Sequence, residues 1–495
     1  QRKNLFDIVA GTSAGAINAC LIVNYVRNKG WEGADSMLCE FWRDTATPTM
    51  TSLWPKSELA SETWSYWEKL RDWQTETSAK IAQSAFFQPF SKLREEPFFL
   101  PLYFLWPDTL GPLASEEATR RYRSWALFAF APLGTPNVLS PAIYQPDFAY
   151  FNPSGYLLRY SNAPLVQTIK KYWDFERQPI KTFYAKDEPR LLFVAVDIMD
   201  STTATFDSYY KPDRSWKTEY IHLLPDGGTE QHTIEYKDGI TIDQLLASMS
   251  SHLRHRPPSL TATTTIITTP KKHGKTKEEE SKKTYKETRY FWDGFYLSNT
   301  PLREVIQAHR DYWLKVEGMS SPPAKGLEGT AMADYYKGAT TTVPPLEIFI
   351  VNLYPTLEKE DYPKDPDGIS NRVGDILYHD RTEYDEKAAV MVSDYVKLAK
   401  KLIEIALDDS KNLATTIKKI NELGAKDIGS EGRGGKPRTY ETLLAGRFDI
   451  ERVVRIEMSA DARNDIYGKA FEFSTESIEN LISAGSRDAA KYVAD

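Results

Sequence analysis

The sequence predicts an α/β fold with a mainly parallel central sheet, on three observations. Apolar runs of strand length alternate along the chain with stretches of helical periodicity. Leu191–Val196 is nearly continuous in apolar residues, as a strand covered on both faces is. Gly11-Thr12-Ser13-Ala14-Gly15 stands where another apolar run gives way to a helix.

The first strand is Leu5, Phe6, Ile8 and Val9, and the first helix follows through Ala14, Ala16, Ile17, Ala19, Cys20, Leu21 and Val23, which place apolar groups three and four residues apart. Ser13 falls on the junction. Its glycine neighbours permit a tight backbone and a close strand-helix approach, and the helix N-terminus supplies unpaired N–H groups and a partial positive charge. This is the pattern of a nucleophile elbow. A Gly-x-Ser-x-Gly match arises by chance about 0.1 times in a chain of this length. The structural counterpart of that reading is a glycine-rich turn whose serine only caps the helix.

Residues 45–141 form an aromatic-rich insertion that includes FFQPFSKLREEPFFLPLYFLWP from Phe86 to Pro107. Its rings read as the core of an inserted subdomain, with an acyl-chain groove or a lid as the functional alternative. Asn162–Trp173 reads as an amphipathic helix entered through Pro164, Leu191–Val196 as a buried strand, Ala204–Tyr209 as the start of the next, and Thr241–Leu253 as a helix. Residues 259–288 are polar and repetitive, with no apolar face to bury, and read as a flexible surface excursion. A short aromatic strand, Arg289–Trp292, then reaches an Asp293-Gly294 turn, and Pro301 opens a helix. Leu346–Pro355 is a buried strand, Glu383–Leu423 is helical, Gly429–Arg438 is a loop, Glu451–Met458 is the last strand, and a helix closes the chain. The expected organisation is an α/β core over 1–358 and a largely helical C-terminal extension over 359–495.

The totals narrow the function. A net charge of −7 over 495 residues argues against nucleic-acid binding driven by phosphate neutralisation. Two cysteines, Cys20 and Cys39, give no disulfide framework and fit a reducing, cytoplasmic setting. No run approaches 18 apolar residues. No metal or cofactor motif stands out. Asp361–Asp375 has Pro363 and Gly374 where a calcium loop places its first and twelfth ligands, so it reads as an acidic turn.

A serine nucleophile needs a base and oxyanion donors. The seven histidines (His222, His232, His252, His255, His273, His309 and His379) have no telling local context. Asp293 stands at a strand end, where ligands and catalytic groups of an α/β sheet gather, although an Asp-Gly surface turn is common.

GTSAG at an elbow, APL leading a helix, PRLLFVAVDIMDSTTATFDS, LLASMSSHL and WDGFYLSNTPLRE, in that order, resemble the patatin-like phospholipase family from about residue 5 to about residue 315. FIVNLYP and FEFSTESIENLISAGSRDAA resemble C-terminal extensions of some members. The resemblance implies a layered α/β/α fold, a phospholipid or other acyl-lipid substrate, a peripheral contact with membrane, no cofactor, and a Ser-Asp dyad. Matched position by position, Ser13 is the implied nucleophile, with Gly11, Thr12, Ala14 and Gly15 forming its elbow, and Asp293 of the Asp293-Gly294 turn is the implied base.

Two features depart from the family pattern. Phe295 stands where a glycine or alanine usually follows Gly294 and sets a large ring beside the base. The family's Gly-Gly-Gly-x-Arg/Lys-Gly oxyanion loop lies tens of residues before the elbow, whereas only twelve residues precede Ser13; the loop is expected upstream of Gln1, and Gly432–Lys436 is not read as its replacement. Loss of one oxyanion donor costs on the order of 100–1000-fold. Two other readings stay open: a non-catalytic lipid-binding scaffold on the same fold, and an esterase whose triad uses His309 or His379.

Overall fold

The computed structural model describes residues 4–46, 135, 137–143, 159–224, 228–251, 257–268, 281–313, 344–354, 366–408, 415, 450–459 and 472–493. In chain order these form β1 (Ile8–Gly11), α1 (Ala14–Lys29), α2 (Ala34–Thr45), β2 (Ser140–Ile143), β3 (Arg159–Ser161), α3 (Ala163–Tyr172), β4 (Arg190–Asp197), β5 (Thr202–Asp207), β6 (Lys217–Leu223), β7 (Thr229–Glu235), α4 (Ile242–Met249), β8 (Ser259–Thr268), β9 (Ser281–Asp293), α5 (Phe295–Ser298), α6 (Leu302–Asp311), β10 (Leu346–Asn352), α7 (Pro366–Tyr378), α8 (Glu383–Asp408), β11 (Ile450–Glu457) and α9 (Thr475–Val493). Most of the aromatic-rich insertion, and the loop Gly429–Arg438, lie outside the described residues.

β4 organises the molecule. All eight of its residues are buried, and burying Leu191, Leu192, Phe193 and Val194 stabilises the fold by roughly 1.5–3 kcal/mol for each side chain. α1 covers it with Ala16, Ile17, Ala19, Cys20, Leu21 and Val23, and α4 adds Leu245 and Ala247. Small residues at the α1 contact let the helix approach closely. Cys20 is sealed there, and burial pushes its thiol far above the ordinary range.

The pairing along β4 explains how distant segments meet. β5 runs antiparallel along one edge, from Leu192 opposite Asp207 to Asp197 opposite Thr202. The other edge is shared by two strands. β1 pairs parallel with its first half and ends with Gly11 opposite Phe193. β9 pairs antiparallel with its second half and ends with Asp293 opposite Ala195. The two strands therefore approach from opposite directions and stop one residue apart, on either side of Val194.

The sheet is mixed, which corrects the expectation of a mainly parallel one. The order is β1-β4-β9-β8-β7-β6, with β5 also on β4, and only β1–β4 is parallel within it. β6, β7, β8 and β9 are antiparallel to their neighbours, a pattern that needs no crossover between parallel strands, although α4 lies between β7 and β8.

Residues 259–288 are likewise corrected. β8 and β9 pair from Ser259 opposite Tyr290 to Thr268 opposite Ser281, so most of the polar segment is strand, and residues 269–280 lie outside the described residues. Threonines carry it: their branched Cβ suits the pleat, and small Ala262 and Thr264 fill the buried face. Of the acidic turn expected over Asp361–Asp375, residues 366–375 are helix α7 instead, and 361–365 lie outside the described residues. β10, before residue 358, pairs parallel with β11, after it.

Behind β9 lies a buried charge network. Arg289 Nε donates to Asp197 Oδ2 at 2.7 Å and Nη1 to Glu287 at 3.3 Å, while Nη2 contacts Asp200. Tyr220 donates its hydroxyl to Asp197 at 2.6 Å. Asp197 is fully buried, so Arg289→Met would strand its charge. Such a loss typically costs about 3–5 kcal/mol, and the expected result is a urea midpoint lowered accordingly; an unchanged midpoint would mean that Asp197 finds another partner.

Candidate active site

β1 delivers the chain to Ser13 in a conformation that side chains rarely adopt, φ 57° and ψ −122°. Holding a non-glycine residue there costs on the order of 1–3 kcal/mol. The surrounding backbone enforces it: a Cβ on Gly11 would lie 2.1 Å from the Gly15 carbonyl oxygen, so strand and helix meet backbone to backbone. Gly15 itself has open space around its would-be Cβ. The two glycines therefore differ in consequence. Gly11→Ala is expected to destabilise the fold by about 1–3 kcal/mol or more, whereas Gly15→Ala should stay within about 0.5 kcal/mol; thermal unfolding of the pair checks both.

The first turn of α1 accounts for most of its N–H groups. Gly15 N–H donates to Thr12 O at 2.9 Å, and those of Ala16 and Ile17 to Ser13 O at 2.9 and 3.3 Å. Among the described residues the Ala14 N–H, next to Ser13, has no hydrogen-bond partner, as the first N–H of a helix has none within it. The Ser13 N–H is held from behind by Ser248 Oγ of α4 at 3.3 Å, and Ser248 in turn donates to Val194 O at 2.6 Å. Thr12 is turned inward, its hydroxyl donating to Ser298 O at 2.9 Å.

Asp293 ends β9 and meets the elbow directly: Ser13 Oγ donates to Asp293 Oδ2 at 2.6 Å. The Asp293 N–H donates to Ser250 O at 2.9 Å, and Asp293 Oδ1 accepts the Phe295 N–H at 3.1 Å. Gly294 is fixed by space. A Cβ there would stand 2.3 Å from Val194 O and 2.8 Å from Thr12 Cγ2. Asp293 is 3% exposed while Ser13 is half-buried, so of the pair the serine is the more accessible. Burial pushes the Asp293 carboxyl up to about 7, with the hydrogen bonds from Ser13 and Phe295 holding it back. A buried carboxylate that shares its proton with a serine hydroxyl near neutrality suits general-base work.

The Phe295 ring, next in the chain to Gly294, has partners of its own. It packs edge-on against Tyr378 of α7, with centroids 4.7 Å apart and planes at 85°. Neither Ser248 nor Tyr378 is singled out by the sequence: Ser248 falls in the expected helix Thr241–Leu253, which does not show what it touches, and Tyr378 lies between the expected acidic turn and the helix from Glu383, in no expected element.

Three of the described histidines bond away from Ser13. His309 Nε2 donates to Pro344 O at 2.9 Å, and His379 Nδ1 to Ile376 O at 2.9 Å. His222 lies on β6 opposite Glu230. His232 is buried beside Thr264 and Asp200, at 2.8 and 2.6 Å. His252, His255 and His273 are outside the described residues. Asp200, Glu230 and His232 bring three ligand-type atoms within 4.8 Å of one another. The Asp200 oxygen that faces His232 also contacts the Arg289 guanidinium, so it already has a cation. Among the described residues no helix is long and apolar enough to cross a membrane. Comparison with family models, with characterised proteins and with solved structures finds no match to this chain.

Proposed function

We propose that this chain is a serine acyl hydrolase working through a Ser13–Asp293 dyad. The observation that carries the reading is the 2.6 Å hydrogen bond from Ser13 Oγ to Asp293 Oδ2 at a strained strand-helix turn. In the first step Asp293 takes the hydroxyl proton as Ser13 Oγ bonds to the carbonyl carbon of an ester; the Ala14 N–H faces the developing oxyanion, and the alcohol leaves with the proton returned by Asp293. In the second, Asp293 activates a water that releases the acid and restores Ser13. The resemblance to patatin-like phospholipases in the ordered motifs from Gly11 to Glu304 supports an acyl-lipid substrate, a phospholipid among them, met at a membrane surface.

The test is intact-mass analysis after treatment with a fluorophosphonate. One adduct is expected, absent from Ser13→Ala; no adduct on the folded chain would overturn the reading. Turnover of phospholipid in mixed vesicles, compared with a short-chain p-nitrophenyl ester, then tests the substrate class.

A further inference from the structure

On its N-terminal side Asp293 is held by the pairing of β9 with β4, whereas the chain that follows it is short and irregular. Asp293 is followed by Gly294 and by α5, a single turn whose Phe295 N–H donates to Asp293 Oδ1. A four-residue helix has too few internal hydrogen bonds to fix its own position. Its position comes from its two sides. On one side Thr12, the residue before the nucleophile, donates to Ser298 O at 2.9 Å. On the other, the Phe295 ring abuts Tyr378 and Asn299 Nδ2 donates to the Tyr378 carbonyl oxygen.

Tyr378 is in turn tied down independently of the turn. Its ring packs on Tyr354, centroids 5.7 Å apart. Asn352 at the end of β10 accepts both the Tyr354 N–H at 3.2 Å and the Asp380 N–H at 3.3 Å through one side-chain oxygen. The residues on either side of the tyrosine pair thus hang from one side chain. Beneath it, β10 pairs along its length with β11, from Leu346 to Asn352.

We propose that Tyr378 is a positioning residue for the dyad: α7 clamps the Asp293-Gly294-Phe295 turn from outside as Thr12 clamps it from the elbow, so that residues beyond 345 complete a site whose reacting groups lie before 300. The inference rests on the dyad reading. The ring, not the phenol, makes the contact with Phe295, and the backbone carbonyl makes the contact with Asn299.

The readout is the rate of Ser13 phosphonylation on the full chain as a function of pH. Tyr378→Leu keeps apolar bulk and loses the edge-on ring. Freed of the clamp, Phe295 N–H no longer holds the carboxylate form of Asp293, so the midpoint of the pH profile is expected to move upward. Misplacement of the base is expected to lower the rate on the order of 10- to 100-fold. Tyr378→Phe restores both, and Asn299→Ala, which removes the other contact, shifts the midpoint in the same direction. A loss that is only structural would lower the folded fraction without moving the midpoint. If Tyr378→Leu does not fold, Asn299→Ala decides the matter. Wild-type rate and midpoint in the folded variants would overturn the clamp while leaving the dyad standing, whereas a wild-type chain that takes no label at Ser13 would overturn both.

Discussion

Asp293→Asn is expected to lower the rate of Ser13 phosphonylation by about 100–10,000-fold, the range a positioned general base contributes, and to do so in a chain that is folded. The amide is close to isosteric with the carboxyl group. Its oxygen still accepts the Phe295 N–H, now at 3.1 Å to Asp293 Oδ1, and its nitrogen donates to Ser13 Oγ in place of accepting from it, across the present 2.6 Å contact. Geometry is kept and basicity is lost. The same pair of bonds explains why Ser13→Ala, which removes the nucleophile outright, is a poorer test of the base: it leaves Asp293 buried with one fewer donor. Rates from a time course of intact mass, with circular dichroism of the same samples, separate chemistry from folding. Labelling of Asp293→Asn at the wild-type rate would mean that the hydroxyl loses its proton to some other group, and the dyad would fall.

The two residues of the candidate site are more legible in the sequence than the sheet that brings them together. Ser13 could be found because an elbow needs glycine at fixed spacing between an apolar run and a helix, which is a local steric requirement written in five residues. Asp293 has a weaker local mark, since a strand end followed by Asp-Gly is also a common surface turn, and it is the order of the resembling motifs along the chain that singles it out. Their meeting is not local. It depends on β1 and β9 pairing with the same edge of β4 from opposite directions, and no periodicity encodes which strand lies beside which.

The antiparallel strands were harder for a different reason. β6 and β7 bury alternate residues such as Thr218, Tyr220, His232 and Ile234, so half of the buried face is polar and satisfied by partners on other strands. Thr218 donates to Thr205 O at 2.8 Å, and Tyr220 to Asp197 at 2.6 Å. A reading that equates burial with apolar residues passes over such strands, and it passed over β8 in the same way. Arg190 on β4 shows the limit as well. It is buried in a run of apolar residues, and its guanidinium forks onto Asp207 at 2.8 and 2.5 Å; against the upward push of burial, that pairing holds the Asp207 carboxyl well below the usual carboxylate range.

The second large effect is on pH. With Asp293 pushed up to about 7, only its ionised form accepts the Ser13 proton, so labelling should rise from pH 5 to pH 8 by roughly 100-fold and level off above. A profile with its midpoint near 4, the ordinary carboxylate position, would mean that Asp293 is solvated or is not the base. The same shift has a cost in stability, and its sign is opposite to that of a paired surface carboxylate. The folded chain holds the Asp293 proton more tightly than the unfolded chain does, so the contribution to stability is intact below about pH 4 and is lost as pH rises towards 7. Three pH units of difference correspond to about 4 kcal/mol as an upper bound. Asp293→Asn carries no such charge, so it should be more stable than wild type by urea unfolding at pH 8, and by a smaller margin at pH 4.5. An equal margin at both would show that the carboxylate is not destabilised by its surroundings. A gain confined to high pH, in the variant that has lost its labelling, would show the site holding a charge that the fold disfavours, as a base buried for catalysis requires.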